Sequence, residues 1–346
     1  MTKRPTIALS YHQLCAYRNG KVDHCFLSIP CYSTLHTHTQ IGIFHLSSSS
    51  ESRPVRKSSN IAQNTMAGSG ELLEKNGEKV VILSGASRGI GLAIAHQLLS
   101  NSHKLVLLSR SHAALDQLHY QYGSDRVEIL AGDLSDFSQN FAGRAVDLAV
   151  SRWGRVDALV VNHGTLDPVK KIADLEPGVG EWRNGFDVNV FAGVDLVRAA
   201  IPSLRATNGR IILTSSGAAI SGYQGWAAYG ASKAALNHLA ISLAVEEPLI
   251  TTISIRPGVV DTEMQREIRD VHITANKVMS EKDSEKFLGL KENGGLLRPE
   301  APGGVIARLC VDSGEKGRAL SGKFLSWNDE ALSEFQEDSE DAGAAS

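Results

Sequence analysis

The chain has 346 residues, of which 42% are hydrophobic and 21% charged, and its formal net charge is −3 at pH 7. This composition is ordinary for a globular enzyme with a large core. The nearly balanced charge creates no basic field that would recruit nucleic acid, so we expect no nucleic-acid partner. No apolar run approaches the roughly 20 residues that a membrane-spanning helix needs, so the sequence predicts a soluble protein without a membrane partner.

Cysteine usage indicates the compartment. Three of the four cysteines lie near the N-terminus (Cys15, Cys25 and Cys31), and Cys310 stands alone in the remaining chain. A lone thiol argues for a reducing, cytoplasmic environment and against a disulfide framework. Four histidines accompany the three cysteines, but their spacing matches no paired zinc motif, and we expect no metal site. These histidines are His24, His36, His38 and His45.

The two ends of the chain differ in composition from its centre. Residues 1–66 contain the serine run Ser47–Ser50, almost no acidic residues, and no clear helical or strand period. Three interpretations stay open: a disordered extension, a mispredicted start with translation from Met66, or a mitochondrial transit segment. No Arg-rich amphipathic helix supports the transit segment. Residues 329–346 are acidic and rich in small residues, which predicts a flexible tail.

Between these ends, residues 67–328 alternate short apolar runs with longer helix-compatible stretches. The apolar runs are nearly continuous in Val, Ile and Leu, which is typical of parallel strands buried on both faces. The alternation predicts a single α/β domain, a doubly wound Rossmann-type fold with a seven-stranded parallel sheet. The predicted strands are Val80–Ser84, Lys104–Ser109, Val127–Ala131, Ala158–Asn162, Arg210–Ser215, Thr252–Arg256 and Gly322–Leu325.

The first predicted strand ends in a glycine-rich loop that precedes a helix-compatible stretch. The loop comprises Ser84, Gly85, Ala86, Ser87, Arg88, Gly89, Ile90 and Gly91. Its glycines allow a tight turn and a close approach of backbone to a pyrophosphate, and the helix offers free N–H groups and a positive dipole end. Because the loop lies between a strand and a helix, it predicts a dinucleotide site.

The end of the second predicted strand indicates the type of cofactor. Enzymes that use NAD usually place an acidic residue there to hold the ribose 2′-hydroxyl. This chain has Arg110 in that region and no acid, and Arg88 lies within the glycine loop. Either arginine alone would be an ordinary surface charge. Two guanidinium groups can pair with a 2′-phosphate, so the sequence predicts NADP(H).

Tyr229 and Lys233 lie four residues apart in a helix-compatible stretch and share one helical face. A free tyrosine titrates at about pH 10, too high for efficient proton exchange at neutral pH. A neighbouring ammonium, with the positive nicotinamide of an oxidised cofactor, favours the phenolate and should lower the pKa by roughly 2–3 units. Ser216, thirteen residues before Tyr229 at a strand end, can donate to a bound carbonyl oxygen.

Taken in chain order, these motifs resemble the short-chain dehydrogenase/reductase family. The resemblance covers roughly residues 79–327 and includes Gly132–Leu134, Asn162–Gly164 and Pro257–Thr262. It implies a catalytic set of Asn189, Ser216, Tyr229 and Lys233, in which Asn189 positions a water in a proton relay through Lys233. Besides the glycine loop and Arg110, the implied cofactor contacts are Asp133, Leu134, Asn162, Gly164, Tyr229, Lys233, Pro257, Gly258, Val260 and Thr262.

Three residues depart from the family pattern. Ser84 stands in place of the usual threonine, and Val161 replaces the first asparagine of the usual Asn-Asn-Ala-Gly. His163 replaces the small alanine and adds bulk beside the cofactor pocket. We interpret His163 as a packing residue, with a pH-sensitive substrate contact as the alternative.

The residues after Thr262 predict a mobile helix–loop lid over the substrate. With residues 162–169 and 321–329, this lid resembles fungal members near the sepiapterin reductase and benzil reductase branch. The resemblance implies a ketone or 1,2-diketone substrate. Tyr223 and Trp226 are candidate substrate contacts, with core packing as the alternative. The family also implies a homodimer or homotetramer, assembled through the helices that carry Asn189 and Tyr229.

The sequence therefore predicts an NADPH-dependent carbonyl reductase. Two other functions stay open. One is an alcohol or hydroxysteroid dehydrogenase that works in the oxidative direction with the same residues. The other is a sensor that binds NADPH without turnover, a class that typically loses the tyrosine or lysine that this chain retains.

Overall fold

The computed structural model of the protein describes residues 77–176 and 178–336, together with two short N-terminal strands. These strands, Tyr17–Arg18 and Lys21–Val22, pair antiparallel. The remainder of residues 1–76 lies outside the described residues, and so do the cysteines and histidines considered for zinc. The three interpretations of the N-terminal segment therefore stay predictions.

Seven strands form one parallel sheet in the order β3-β2-β1-β4-β5-β6-β7. Every neighbouring pair is parallel, which confirms the predicted doubly wound Rossmann-type fold. The first three strands have the predicted bounds, the next three differ by one residue at one end, and the last is shifted by two residues at its start and one at its end. The strands are β1 Val80–Ser84, β2 Lys104–Ser109, β3 Val127–Ala131, β4 Ala158–Val161, β5 Arg210–Thr214, β6 Thr251–Arg256 and β7 Phe324–Ser326.

Ten α-helices accompany the sheet within the described ranges, and none of them is long and apolar enough to cross a membrane. Two π-helical segments, Asp187–Phe191 and Ile268–Ala275, continue α4 and α7. The helices are α1 Gly89–Ser100, α2 His112–Tyr122, α3 Phe141–Trp153, α4 Gly180–Phe186, α5 Ala192–Thr207, α6 Ala227–Glu246, α7 Glu263–Glu267, α8 Glu281–Glu292, α9 Glu300–Val311 and α10 Glu315–Arg318.

Strand alternation explains why helices cover both faces of the sheet. Consecutive strand residues point to opposite faces. In β1, Val81 and Leu83 pack in one core with α1, α2 and α9. Val80 and Ile82 pack in a second core with α3, α5 and α6. The two cores hold the strands rigidly, so the loops at their carboxyl ends have a fixed frame.

The last described residues are structured, although the sequence predicts a flexible tail from residue 329 onwards. Residues 330–335 form a 3₁₀ helix, and Asp329 caps it by accepting a hydrogen bond from the Ala331 amide. Leu332 and Phe335 are buried in the core beside α9. The acidic composition of the segment predicts a flexible tail, but these two apolar side chains anchor it to the core. The predicted boundary at residue 329 is therefore wrong, and residues 337–346 lie outside the described residues.

Candidate active site

A cavity of about 1010 Å³ lies at the carboxyl ends of the central strands. Gly85 after β1, Ser109 of β2, Asn162 after β4 and Thr214 of β5 all line it. The strand order reverses between β1 and β4. Open α/β sheets bind ligands at such a switch point, so the topology and the cavity indicate the same site.

The glycine loop brings α1 against the end of β1. Gly85 and Gly89 have positive φ angles of 69° and 54°, which favour glycine. A Cβ atom at Gly91 would lie 2.0 Å from the Gly85 carbonyl oxygen and 2.6 Å from Nδ2 of Asn162. That Nδ2 atom donates a hydrogen bond of 3.2 Å to the same carbonyl. The loop therefore closes tightly because position 91 has no side chain.

The first turn of α1 fits a phosphate group. Arg88 precedes the helix in an extended conformation and makes no side-chain cap, and the first turn contains no acidic residue. The first N–H groups of a helix lack intrahelical partners and carry a partial positive charge. Ser87, Arg88, Gly89 and Ile90 line the cavity at this point, so the N–H groups and a guanidinium can meet one anion.

Three of the predicted cofactor contacts follow the second and third strands. Arg110, Asp133 and Leu134 line the cavity after β2 and β3. The hydroxyl and amide of Ser135 donate to the Asp133 carboxylate at 2.7 and 2.9 Å, and they hold its pKa below the ordinary value. Arg110 is exposed, so its guanidinium is accessible to an anionic ligand.

Helix α6 presents Tyr229 and Lys233 on one buried face. Both side chains line the cavity, and Nζ of Lys233 lies 5.9 Å from the centre of the tyrosine ring. Nζ donates a hydrogen bond of 2.9 Å to the Thr214 carbonyl oxygen, which fixes the ammonium at the end of β5. Burial lowers the pKa of Lys233 to about 8. The lysine is therefore largely protonated at neutral pH.

Ser216 follows β5 and lies near Tyr229. Its hydroxyl accepts a hydrogen bond from the Ala218 amide at 3.1 Å, and it lies close enough to Tyr229 to act on the pKa of that phenol. Burial raises the pKa of Tyr229, and the hydrogen bond with Ser216 offsets only part of that rise. Without a cofactor, desolvation of the phenolate therefore outweighs the effect of Ser216. The predicted lowering, which includes the positive charge of an oxidised nicotinamide, stays a prediction.

Asn189 lies in the π-helical segment between α4 and α5. Its Oδ1 atom accepts from the Thr165 amide at 2.8 Å, and its Nδ2 atom donates to the Thr165 carbonyl at 2.9 Å and to Ser232 at 3.1 Å. The Ser232 hydroxyl in turn donates to the Tyr229 carbonyl oxygen. Position 164 lies beneath this network, since a Cβ at Gly164 would be 3.4 Å from Nζ of Lys233. Asn189 therefore holds the loop after β4 against α6.

His163 and Ser84 form a hydrogen-bonded pair in the cavity wall. The Ser84 hydroxyl donates to the Val160 carbonyl at 3.2 Å and accepts from the Asn162 amide at 3.1 Å. Because the one hydroxyl proton of Ser84 is already donated to Val160, the Ser84 oxygen accepts a hydrogen bond from Nδ1 of His163 at 2.7 Å. Nε2 of His163 is buried, and no hydrogen-bond partner for it lies among the described residues. Burial first, and then the charge of Lys233, lower the pKa of His163 to about 4, so the imidazole is neutral.

The segment after β6 provides packing as well as lining. Pro257 and Thr262 line the cavity, and the Thr262 hydroxyl caps α7 by accepting from the Gln265 amide. Gly258 has a φ of 81°, and a Cβ there would lie 2.6 Å from the Leu297 side chain. Val260 is buried and pairs with Leu297 in an isolated bridge. Gly258 and Val260 therefore shape the loop that carries Thr262.

The candidate substrate contacts Tyr223 and Trp226 are placed elsewhere. Neither belongs to the cavity lining. Their rings lie 4.9 Å apart and pack against Phe287 of α8, at 5.8 and 5.5 Å respectively. This placement agrees with the packing alternative for Tyr223 and Trp226 and not with a substrate contact. The two rings pack against helix α8 of the lid, beside Tyr229.

Several cavity residues were not recognised in the sequence. They come from the loop after β4, from α4, and from α7 with its π-helical continuation. Only the position of the lid after Thr262 could have indicated some of them, because no motif distinguishes their side chains. They include Asp167, Lys170, Glu181, Asn184, Met264, Glu267 and His272.

Comparison with known proteins identifies the family. The family described as short chain dehydrogenase matches residues 79–272. An uncharacterised oxidoreductase of Saccharomyces cerevisiae is 39% identical over 74% of this chain and 98% of its own length. A benzil reductase ((S)-benzoin forming) of the same yeast is 38% identical, over 75% and 99%. The crystal structure of a short-chain dehydrogenase/reductase from that yeast has a TM-score of 0.70 at 38% identity, covering 75% of this chain and 100% of that one. The predicted resemblance to the fungal benzil reductase branch is confirmed, and the chain belongs to the short-chain dehydrogenase/reductase family of oxidoreductases.

Proposed function

We propose that this oxidoreductase uses NADPH to reduce a ketone or 1,2-diketone to an alcohol. The observation that carries the proposal is the buried Tyr229–Lys233 pair, which lines the same cavity as the glycine loop. The benzil reductase among the relatives, whose name denotes a 1,2-diketone substrate, supports this substrate class.

The family implies a nicotinamide cofactor, and the residues present fit one. The glycine loop and the uncapped start of α1 would hold the pyrophosphate. Arg88 and Arg110 line the same cavity and would pair with a 2′-phosphate, which supports NADPH. NADPH supplies the hydride when it is bound.

The remaining chemistry belongs to residues of the chain. Ser216 lies close to Tyr229, so both hydroxyls can orient one carbonyl oxygen. Tyr229 is a protonated phenol in the cofactor-free protein, and it gives its proton to that oxygen. Lys233 stabilises the phenolate that is left, and Asn189 keeps the wall around Lys233 in place.

The test compares NADPH oxidation by the parent protein and by Tyr229→Phe on a panel of ketones and diketones. We expect turnover by the parent and a loss of about 10²–10⁴-fold in kcat for the variant, the contribution typical of a general acid. Tyr120→Phe is the matched control, because Tyr120 is 93% exposed and lies outside the cavity lining. Tight NADPH binding without turnover on any carbonyl would favour the sensor.

We also propose a homodimer or homotetramer assembled through α5 and α6. Exposed apolar side chains on the π-helical segment, α5 and α6 support it, namely Phe191, Val194, Ile241 and Val245. Light scattering should show a mass of two or four chains, and Val245→Glu should reduce it.

We place the protein in the cytoplasm. Mass spectrometry of the N-terminus of native protein separates a start at Met66 from a cleaved transit segment.

A further inference from the structure

His272 is a buried imidazole in the wall of the active-site cavity. It lies in the π-helical segment Ile268–Ala275, and its side chain is 4% exposed. It lines the same cavity as Tyr229. Neither ring nitrogen has a hydrogen-bond partner among the described residues. Buried polar groups are rarely left unpaired, so two free ring nitrogens at a cavity indicate that a ligand completes their hydrogen bonds.

The π-helical geometry places this side chain beside a carboxylate. His272 lies five positions after Glu267, the spacing of the residues that one hydrogen bond of a π-helix joins. Nε2 of His272 lies 3.8 Å from Oε1 of Glu267, too long for a hydrogen bond. Short π-helical turns occur frequently at functional sites, and here the turn holds the imidazole in the wall without pairing it.

The charges around His272 define what it can bind. Burial lowers its pKa, against the opposing effects of Glu267 and Asp167, so the ring is neutral at pH 7. A neutral imidazole has one donor and one acceptor nitrogen. The two nearby carboxylates disfavour an anionic group of a ligand. The partner that fits is therefore an uncharged oxygen, either a carbonyl that accepts or a hydroxyl that donates.

We propose that His272 is a specificity-determining residue, which hydrogen-bonds the second oxygen of a 1,2-diketone or of an α-hydroxyketone. This inference rests on the proposed carbonyl reduction. Tyr229 and Ser216 bind the oxygen of the carbonyl that is reduced, and His272 binds the neighbouring one. A monoketone has no second oxygen and leaves the imidazole unpaired, so the cavity prefers vicinal dioxygenated substrates.

Benzil and deoxybenzoin test the inference, because they share two phenyl rings and differ by one oxygen. In His272→Leu we expect kcat/KM to fall about 10-fold for benzil, the loss of one hydrogen bond, and to stay within about twofold for deoxybenzoin. His272→Asn restores a donor and an acceptor and should recover part of the benzil activity. Val271→Ala is the control, because this neighbouring cavity residue is apolar and should affect both substrates alike.

Binding of both compounds to the NADPH-loaded parent and to His272→Leu, measured by titration calorimetry, gives a readout that does not depend on turnover. A parent preference for benzil that disappears in the variant supports the inference, even if no turnover occurs and the proposed function fails. Equal binding of benzil and deoxybenzoin by the parent overturns it. Equal losses for both compounds in the variant also overturn it, since His272 would then only shape the cavity.

Discussion

Replacing His163 by alanine should remove part of the acid sensitivity of the fold. The folded-state pKa of His163, about 4, lies below the ordinary value of 6.5. Between these two pH values the imidazole is protonated in the unfolded chain and neutral in the folded protein. Stability from this group is fully present above about pH 6.5, and it is lost as pH falls toward 4. The whole difference corresponds to about 3 kcal/mol, at roughly 1.4 kcal/mol for each pKa unit. At pH 5 about 2 kcal/mol of it is already lost.

The assay is urea unfolding of the parent and of His163→Ala at about pH 7.5 and pH 5, fitted for the free energy of unfolding. We expect the parent to lose about 2 kcal/mol more than the variant between the two conditions. Ser84→Ala is the control, because it removes the partner of Nδ1 but keeps the titrating ring. His103 and His272 also have lowered pKa values, but they are present in all three proteins and cancel. Equal losses in parent and variant would refute the reasoning.

Three further changes test the cofactor site and the C-terminal anchor. Gly91→Ala should abolish NADPH binding in a fluorescence titration, since the added Cβ would lie 2.0 Å from the Gly85 carbonyl oxygen; unchanged affinity would contradict the tight loop. Arg110→Asp should weaken NADPH binding about 10–100-fold and NADH binding far less, and equal effects would exclude a 2′-phosphate contact. Leu332→Ala should lower the free energy of unfolding by about 2–5 kcal/mol, because the side chain is fully buried; a change below about 0.5 kcal/mol would return residues 329–336 to the tail.

Local chemistry explains why the strands and the glycine loop were predictable. Strands such as β1 and β2 are buried on both faces, so their sequences consist almost entirely of apolar residues. The glycine loop needs residues without side chains at fixed positions, and Gly91 shows the reason in its contact with Gly85. In both cases the requirement is local and leaves a direct mark in the sequence.

The remaining features depend on contacts between distant segments. Tyr223 and Trp226 pack against Phe287, which lies about 60 residues further along the chain, and nothing in their own neighbourhood indicates that partner. His272 is buried in a π-helical segment, and no sequence pattern predicts where a helix takes π-helical geometry. Likewise, Leu332 and Phe335 are two apolar residues in an acidic segment, and only the core beside α9 explains their burial.

Two of the three departures from the family pattern, Ser84 and His163, form a hydrogen-bonded pair, and the third, Val161, lies at the end of strand β4. Val161 is buried and fills space against α5, where a Cβ at Gly193 would lie 3.2 Å from it. Val161 lacks the polar group of the usual asparagine, but His163 supplies one nearby. Its Nδ1 atom donates to the Ser84 hydroxyl, which already accepts from the Asn162 amide. This bond fixes the tautomer, and burial keeps the ring uncharged. A protonated His163 would repel the Lys233 ammonium, weaken its support of the phenolate and lower its pKa further. The neutral pair therefore adds bulk to the wall while the positive charge beside Tyr229 stays with Lys233.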